Sequence, residues 1–144
     1  MEHKLSSRQR TIPARHIFSA TVLLVSEEAE DVETYRMALM ELGHKVRTCR
    51  SYSEGIRCLN SGGFDLIIVG QGSRDFEGRC VLERATEIDR RLPVLVVARC
   101  LDMHCYLEAI QLGAVDYLAE PVPAAELKRL VANHSRLHSV VHNA

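Results

Sequence analysis

The residues of this chain that could do chemistry are few, and most are spaced wrongly for it. His134, His138 and His142 recur every four residues near the C-terminus, on one face of a helix. Two such histidines can chelate zinc, yet no carboxylate or cysteine is placed to complete the set, so they read as surface residues. Cys49, Cys58, Cys80, Cys100 and Cys105 are odd in number and contain no C-x-x-C pair. They read as reduced thiols used as small apolar residues, Cys49 and Cys100 at strand ends and the other three in helices. The remaining candidate is "DLIIVGQGSRDFEG", residues 65–78, a buried-strand run that ends through Gly70 and Gly72.

In open α/β sheets, ligands bind beyond the carboxyl ends of the strands. Successive amides around Gly70, Gln71 and Gly72, with Arg74 or Arg99 nearby, could cradle a small anion. The same glycines do not make a dinucleotide fingerprint, because the third glycine of G-x-G-x-x-G would fall at Asp75. Asp75 is the nearest carboxylate after Gly70, but it lies in the loop rather than at the strand end.

A parallel sheet is needed to position that turn, and the chain is patterned for one. Apolar or β-branched runs occur at 21–25, 45–49, 65–69, 93–98 and 115–119, with helical patterns between and after them. Val32, Tyr35, Leu39 and Leu42 mark one face of the first helix, which Gly43 ends. Ser51 and Glu54 form a capping box for the second, closed by Gly62-Gly63. Val81, Ala85 and Ile88 mark the third helix, and Leu107 and Ile110 the fourth, which Gly113 ends. Pro123 suits the first position of the fifth. The expected fold is α/β: a flavodoxin-like (βα)5 three-layer sandwich with strand order 2-1-3-4-5 and a crevice between strands one and three.

Composition narrows function by exclusion. A formal net charge of −1 gives no electrostatic reason to expect nucleic acid or an anionic membrane as partner. No apolar run approaches the length of a membrane helix. The basic start, "MEHKLSSRQRTIPARH", lacks a secretory apolar stretch. It reads as a mobile extension, although its arginines also suit a transit peptide. With reduced cysteines, a cytoplasmic setting is expected.

The stretches "VLLVSEEAEDVETYRMALMELGHKV", "FDLIIVGQGSRDFEG", "LPVLVVARC" and "AIQLGAVDYLAEPV" together resemble the receiver domains of bacterial response regulators, the CheY-like family. The resemblance implies a flexible extension over 1–20, a receiver-like domain over 21–136 and a helix extension or linker over 137–144. In the family, an acid pair after the first strand holds Mg²⁺, an Asp ending the third accepts a phosphoryl group, and the fourth and fifth end in Thr or Ser and in Lys-Pro. Those positions fall on Ser26 and Glu27, Gly70, Ala98, and Glu120 with Pro121. Only Glu27, Pro121 and the aromatic switch position, Tyr117, keep a matching type. The resemblance therefore implies a degenerate phospho-acceptor pocket with no nucleophile, and with Mg²⁺ binding lost or weak.

Glu120 puts a negative charge where the family neutralises a phosphoryl oxygen. At about 4 Å and an effective dielectric near 20 the attraction becomes a repulsion of roughly 4 kcal/mol. Arg99 could pair with Glu120 across neighbouring strand ends. No cofactor and no enzymatic activity are expected.

Two functions stay open. One is a pseudo-receiver that binds a protein partner or gates an attached output module through its fourth helix, fifth strand and fifth helix, possible homodimerisation included. Tyr117, Leu137 and Val141 would belong to that face, the last two on a seam running Leu127, Leu130, His134, Leu137, Val141. Leu137, Val140 and Val141 either fray or meet a partner. The other is a binder of a small anion or nucleotide in the vacated crevice.

Overall fold

The computed structural model describes residues 19–135. Its strands are β1 (Thr21–Val25), β2 (Lys45–Cys49), β3 (Leu66–Gly70), β4 (Val94–Ala98) and β5 (Asp116–Ala119). They alternate with α1 (Ala29–Glu41), α2 (Tyr52–Ser61), α3 (Arg79–Ile88), α4 (Met103–Gln111) and α5 (Ala124–His134). All neighbouring strands pair in parallel, in the order β2-β1-β3-β4-β5 expected from the sequence.

β1, β3 and β4 are buried on both faces, which explains their unbroken apolar runs. Alternate residues point to opposite sides. Leu23, Val25, Ile67, Val69, Val94 and Val96 pack with residues of α2, α3 and α4. Val22, Leu24, Leu66, Ile68, Leu95 and Val97 pack with Val32, Tyr35 and Leu39 of α1 and with Leu127, Leu130 and Val131 of α5. Two apolar layers thus fix the sheet from either side and leave the carboxyl ends of its strands converging on one edge.

Local chemistry sets the element limits. Ser51 Oγ caps α2 by accepting from Glu54 N at 3.2 Å, and Glu54 Oε1 reaches back to Arg50 N at 3.3 Å. The back-reach thus ends one residue before the usual capping-box donor. Gly62 and Gly63 then leave the helix with positive φ. Asp102, which the sequence reading passed over, caps α4 through Oδ1 and Cys105 N at 3.0 Å. Pro123 precedes α5 as its N-cap rather than opening the helix. β3 runs one residue further than its apolar stretch, so that Gly70 still pairs with Val97.

Two helix faces differ from expectation. Ile88 is exposed, and α3 packs through Val81, Leu82 and Ala85. In α4, Leu107 is 50% exposed and Ile110 41% exposed, whereas Cys105 and Ala109 are fully buried. Small side chains at i and i+4 let α4 lie close to its neighbours, and the bulkier apolar residues turn outward. A helix apolar on both faces gives periodicity alone no basis for choosing the buried one.

Candidate functional site

The loops after β1, β3, β4 and β5 converge on a cavity of about 50 Å³. It is lined by Ser26, Glu27, Glu28, Tyr52, Gly70, Gln71, Gly72, Val97, Arg99 and Glu120. Sequence reasoning brought most of these together; it missed Tyr52 and Val97 as lining residues. Pro121 follows Glu120 through a cis peptide bond, and Ala98 is buried at the end of β4. Arg74 lies apart, 82% exposed and 3.7 Å from Asp102.

Close backbone packing explains the glycines here. A methyl group on Gly78 would overlap the Gly70 carbonyl oxygen, so the β3–α3 loop folds back only if position 78 has no side chain. Gly78 N donates to Gln71 O at 3.0 Å, holding that return. Gly72 has φ +84°, a left-handed conformation that favours glycine. At Gly70 a Cβ would sit 3.1 Å from Ser26 Oγ, so the space beside β3 is taken by serine rather than left open.

Several donors of this loop already have partners. Gln71 N donates to Val97 O at 2.8 Å, and Ser73 N to Glu77 Oε1 at 2.6 Å. Ser73 Oγ also donates to Glu77 Oε2 at 2.7 Å, and these bonds hold the Glu77 carboxyl below its ordinary range. Ser26 Oγ accepts from Glu28 N at 3.1 Å.

The charges are arranged otherwise than the expected Arg99–Glu120 pair. Arg99 Nε reaches Asp31 Oδ2 at 3.0 Å, and its NH1 lies 3.5 Å from Glu28 Oε1. Glu120 Oε2 instead accepts from the Tyr35 hydroxyl at 2.8 Å. The correction has a simple geometric cause: Asp31, in the first turn of α1, offers Arg99 a carboxylate that sequence order does not reveal. Burial pushes the Glu120 carboxyl up, against the lowering effect of the Tyr35 hydrogen bond. Burial raises the Tyr52 hydroxyl as well, and the carboxylates of Glu27 and Glu77 add to the effect. The crevice is therefore acidic, with Arg99 its one lining cation among the described residues and that cation already paired.

These residues do not fit Mg²⁺. Such an ion needs several convergent oxygen ligands, usually including carboxylates. Ser26 Oγ is engaged by a backbone amide, Gly70 offers no side-chain oxygen, and Glu27 is exposed. Among the described residues no group of three or more His, Cys, Asp or Glu is placed to hold a metal ion.

Beside the crevice lies a hydrogen-bonded latch that residue types and spacing do not announce. Gln71 is 1% exposed. Its Nε2 donates to Ser73 O at 3.2 Å and to Cys100 O at 3.3 Å, and its Oε1 accepts from the Tyr117 hydroxyl. That hydroxyl also accepts from Asp102 N at 3.1 Å. One amide side chain thus ties the β3–α3 loop, the β4–α4 loop and β5 together. Tyr106 packs edge-on against the Tyr117 ring with centroids 5.6 Å apart.

Outward from the latch is an open groove of about 500 Å³ lined by Leu101, Asp102, Met103, Tyr106, Tyr117 and Ala119. Leu101 and Met103 are 60% and 70% exposed. Tyr117 thus stands between crevice and groove. The other two residues expected on this face, Leu137 and Val141, lie outside the described residues, as do His138 and His142.

Comparison with known proteins is consistent with this geometry. The response regulator receiver domain family matches residues 22–132. The DNA-binding transcriptional regulator NtrC of Azospirillum brasilense is 31% identical over 114 residues, 78% of this chain and 24% of that protein. The two-component response regulator ORR21 of Oryza sativa subsp. indica is 29% identical over 111 residues, 76% of this chain and 16% of that protein. The chain thus spans about a quarter or less of these two relatives. Among solved structures, a CheY-like receiver domain protein from Methanospirillum hungatei JF-1 superposes with TM-score 0.78 at 18% identity, covering 88% of this chain and 99% of that one. A Burkholderia pseudomallei response regulator with a phosphorylated aspartic acid, calcium ion and citrate superposes with TM-score 0.71 at 18% identity, covering 87% and 72%. At these identities the structural likeness is one of fold.

Proposed function

Because this chain belongs to the response regulator receiver domain family, we propose that it is a phosphorylation-independent receiver of a two-component-type system. It acts by binding a protein partner or gating an output module. The observation that carries this reading is the end of β3, where Gly70 offers no carboxylate and Gln71 hydrogen-bonds the Tyr117 hydroxyl directly. Without a side-chain oxygen at that strand end there is no nucleophile to form an acyl phosphate. Glu120 and the neighbouring acids would also repel an incoming phosphoryl group.

The latch provides what a covalent switch would otherwise have to provide, a fixed position for Tyr117. Its hydroxyl is bonded from two sides in the absence of any modification. The groove that Tyr117 borders is held in one state by the chain's own amide. Apolar residues at that groove, Leu101, Met103 and Tyr106, are the surface on which a partner would settle. The same field of carboxylates that repels phosphate argues against an anionic ligand in the crevice.

Intact-mass measurement after incubation with acetyl phosphate and Mg²⁺ tests the reading. The mass should not change. A stoichiometric phosphoryl adduct on an aspartate would overturn it. A companion measurement addresses the face: Met103→Asp should abolish self-association or association with an output module and leave the fold intact, as read by light scattering and circular dichroism.

A further inference from the structure

Outside the crevice, the described residues bring together one pair of nucleophilic side chains that the proposed function does not use. Cys49 ends β2 and Cys58 lies in the last turns of α2, yet their sulfurs are 3.3 Å apart. We propose that Cys49 and Cys58 form an oxidation site that closes to a disulfide with a small peroxide, clamping α2 to the end of β2.

The approach is built into the packing. Gly55, one turn before Cys58, lies so close to β1 that a Cβ there would sit 2.9 Å from both methyl groups of Val25. Val25 is the register partner of Cys49. Absence of a side chain at 55 therefore lets α2 settle onto the strands and carries Cys58 to Cys49. The two sulfurs need to close by only about 1.3 Å to reach bonding distance. The remaining cysteines differ: Cys80 and Cys100 are exposed, and Cys105 directs its thiol to Arg74 O at 3.4 Å.

The roles of the two thiols follow from their settings. Cys49 is fully buried, and Cys58 is 6% exposed. Burial, with the adjacent Cys58 sulfur, pushes the Cys49 thiol up. Cys58, the more exposed of the two, is accordingly the sulfur that meets hydrogen peroxide and attacks one of its oxygens, giving up its proton. The O–O bond breaks, Cys58 becomes a sulfenic acid, and hydroxide leaves and takes up the lost proton as water. Cys49 sulfur then attacks Cys58 sulfur; the S–O bond breaks, and the departing oxygen carries the Cys49 proton away as a second water. Two thiols are oxidised to one disulfide, and one peroxide is reduced to two waters. Burial makes the first step slow and the second immediate, because the resolving sulfur is already in contact. In a reducing compartment such a bond is transient.

The inference does not depend on the proposed partner or on phosphorylation. Its test uses the full chain carrying Cys80→Ser and Cys100→Ser, so that exposed thiols cannot cross-link molecules. The protein is treated with increasing hydrogen peroxide, unfolded, and alkylated. Both Cys49 and Cys58 should become inaccessible to alkylation together, with loss of two hydrogen masses, recovery on reduction and a higher melting temperature of the oxidised form. Adding Cys58→Ser should leave the Cys49 thiol alkylatable under the same conditions. The inference is overturned if both thiols still alkylate at peroxide levels that oxidise the exposed Met37, Met40 and Met103. It is equally overturned if Cys49 is lost as readily in the Cys58→Ser background.

Discussion

The crevice beyond the strand ends and the groove over α4 lie side by side and satisfy their side chains in opposite ways. In the crevice, Ser26, Gln71, Arg99 and Glu120 each have a partner inside the chain, around a cavity of about 50 Å³. In the groove, about 500 Å³ in volume, Leu101, Met103 and Tyr106 leave apolar surface exposed among the described residues. Polar groups in a low-dielectric site must be matched or incur desolvation, and those of the crevice are matched internally. Exposed apolar area has no such internal solution, and it persists where binding can cover it. On the proposed reading, function has moved from the region that could hold chemistry to the region that can hold a partner.

The comparison breaks most sharply at Gly78. Its φ of −70° is open to any residue, so alanine there tests space alone. Overlap with the Gly70 carbonyl should destabilise Gly78→Ala by about 3 kcal/mol, measured by urea denaturation. Gly70→Ala should do far less, about 1 kcal/mol, because only the Ser26 side chain must give way, losing its bond to Glu28 N. Equal effects would mean that the crevice is not closed by backbone packing.

Gln71→Leu comes next. It keeps the bulk but leaves Ser73 O, Cys100 O and the Tyr117 hydroxyl without their partner, at a cost of about 2 kcal/mol. Stability should fall, and the Tyr117 ring should change its NMR environment together with Met103 and Tyr106 at the groove. Loss of stability without movement at the groove would separate the two regions and remove the latch from the account of function.

The fold was legible because it rests on patterns that physics makes redundant: unbroken apolar strands, glycines at helix ends and alternation of strand with helix. Gly43, Gly62, Gly63 and Gly113 all have positive φ where the sequence asked for helix stops. The site was legible only in its membership. Which residues line the crevice follows from strand order, but which side chain bonds which depends on rotamers and on α1, whose Asp31 takes Arg99 from Glu120. The buried face of α4 was misread for a related reason: Leu107 and Ile110 are as apolar as a core requires, and only packing identifies Cys105 and Ala109 as the inward pair. Gln71 carries no signal in a single sequence, since glutamine after a strand usually faces water.

Smaller effects sharpen the electrostatic half of the comparison. Arg99→Ala should destabilise slightly more than Arg90→Ala, the effect being small because the guanidinium is half exposed. The difference should shrink in high salt, where exposed pairs are screened.

The smallest effect is the most specific in pH. Burial raises the Glu120 carboxyl, so the folded chain holds that proton at pH values where the unfolded chain has released it. Protonation therefore favours the fold. The stabilisation is full below the ordinary carboxylate pKa and is lost as pH rises through the raised one. Glu120→Gln has no proton to lose and can still accept from the Tyr35 hydroxyl. Melting temperatures of both proteins from about pH 4 to about pH 8 should accordingly diverge, the variant gaining on the parent as pH rises and the gap then levelling. A constant gap would mean that Glu120 stays solvated and ionised, and that the crevice is less closed than its hydrogen bonds imply.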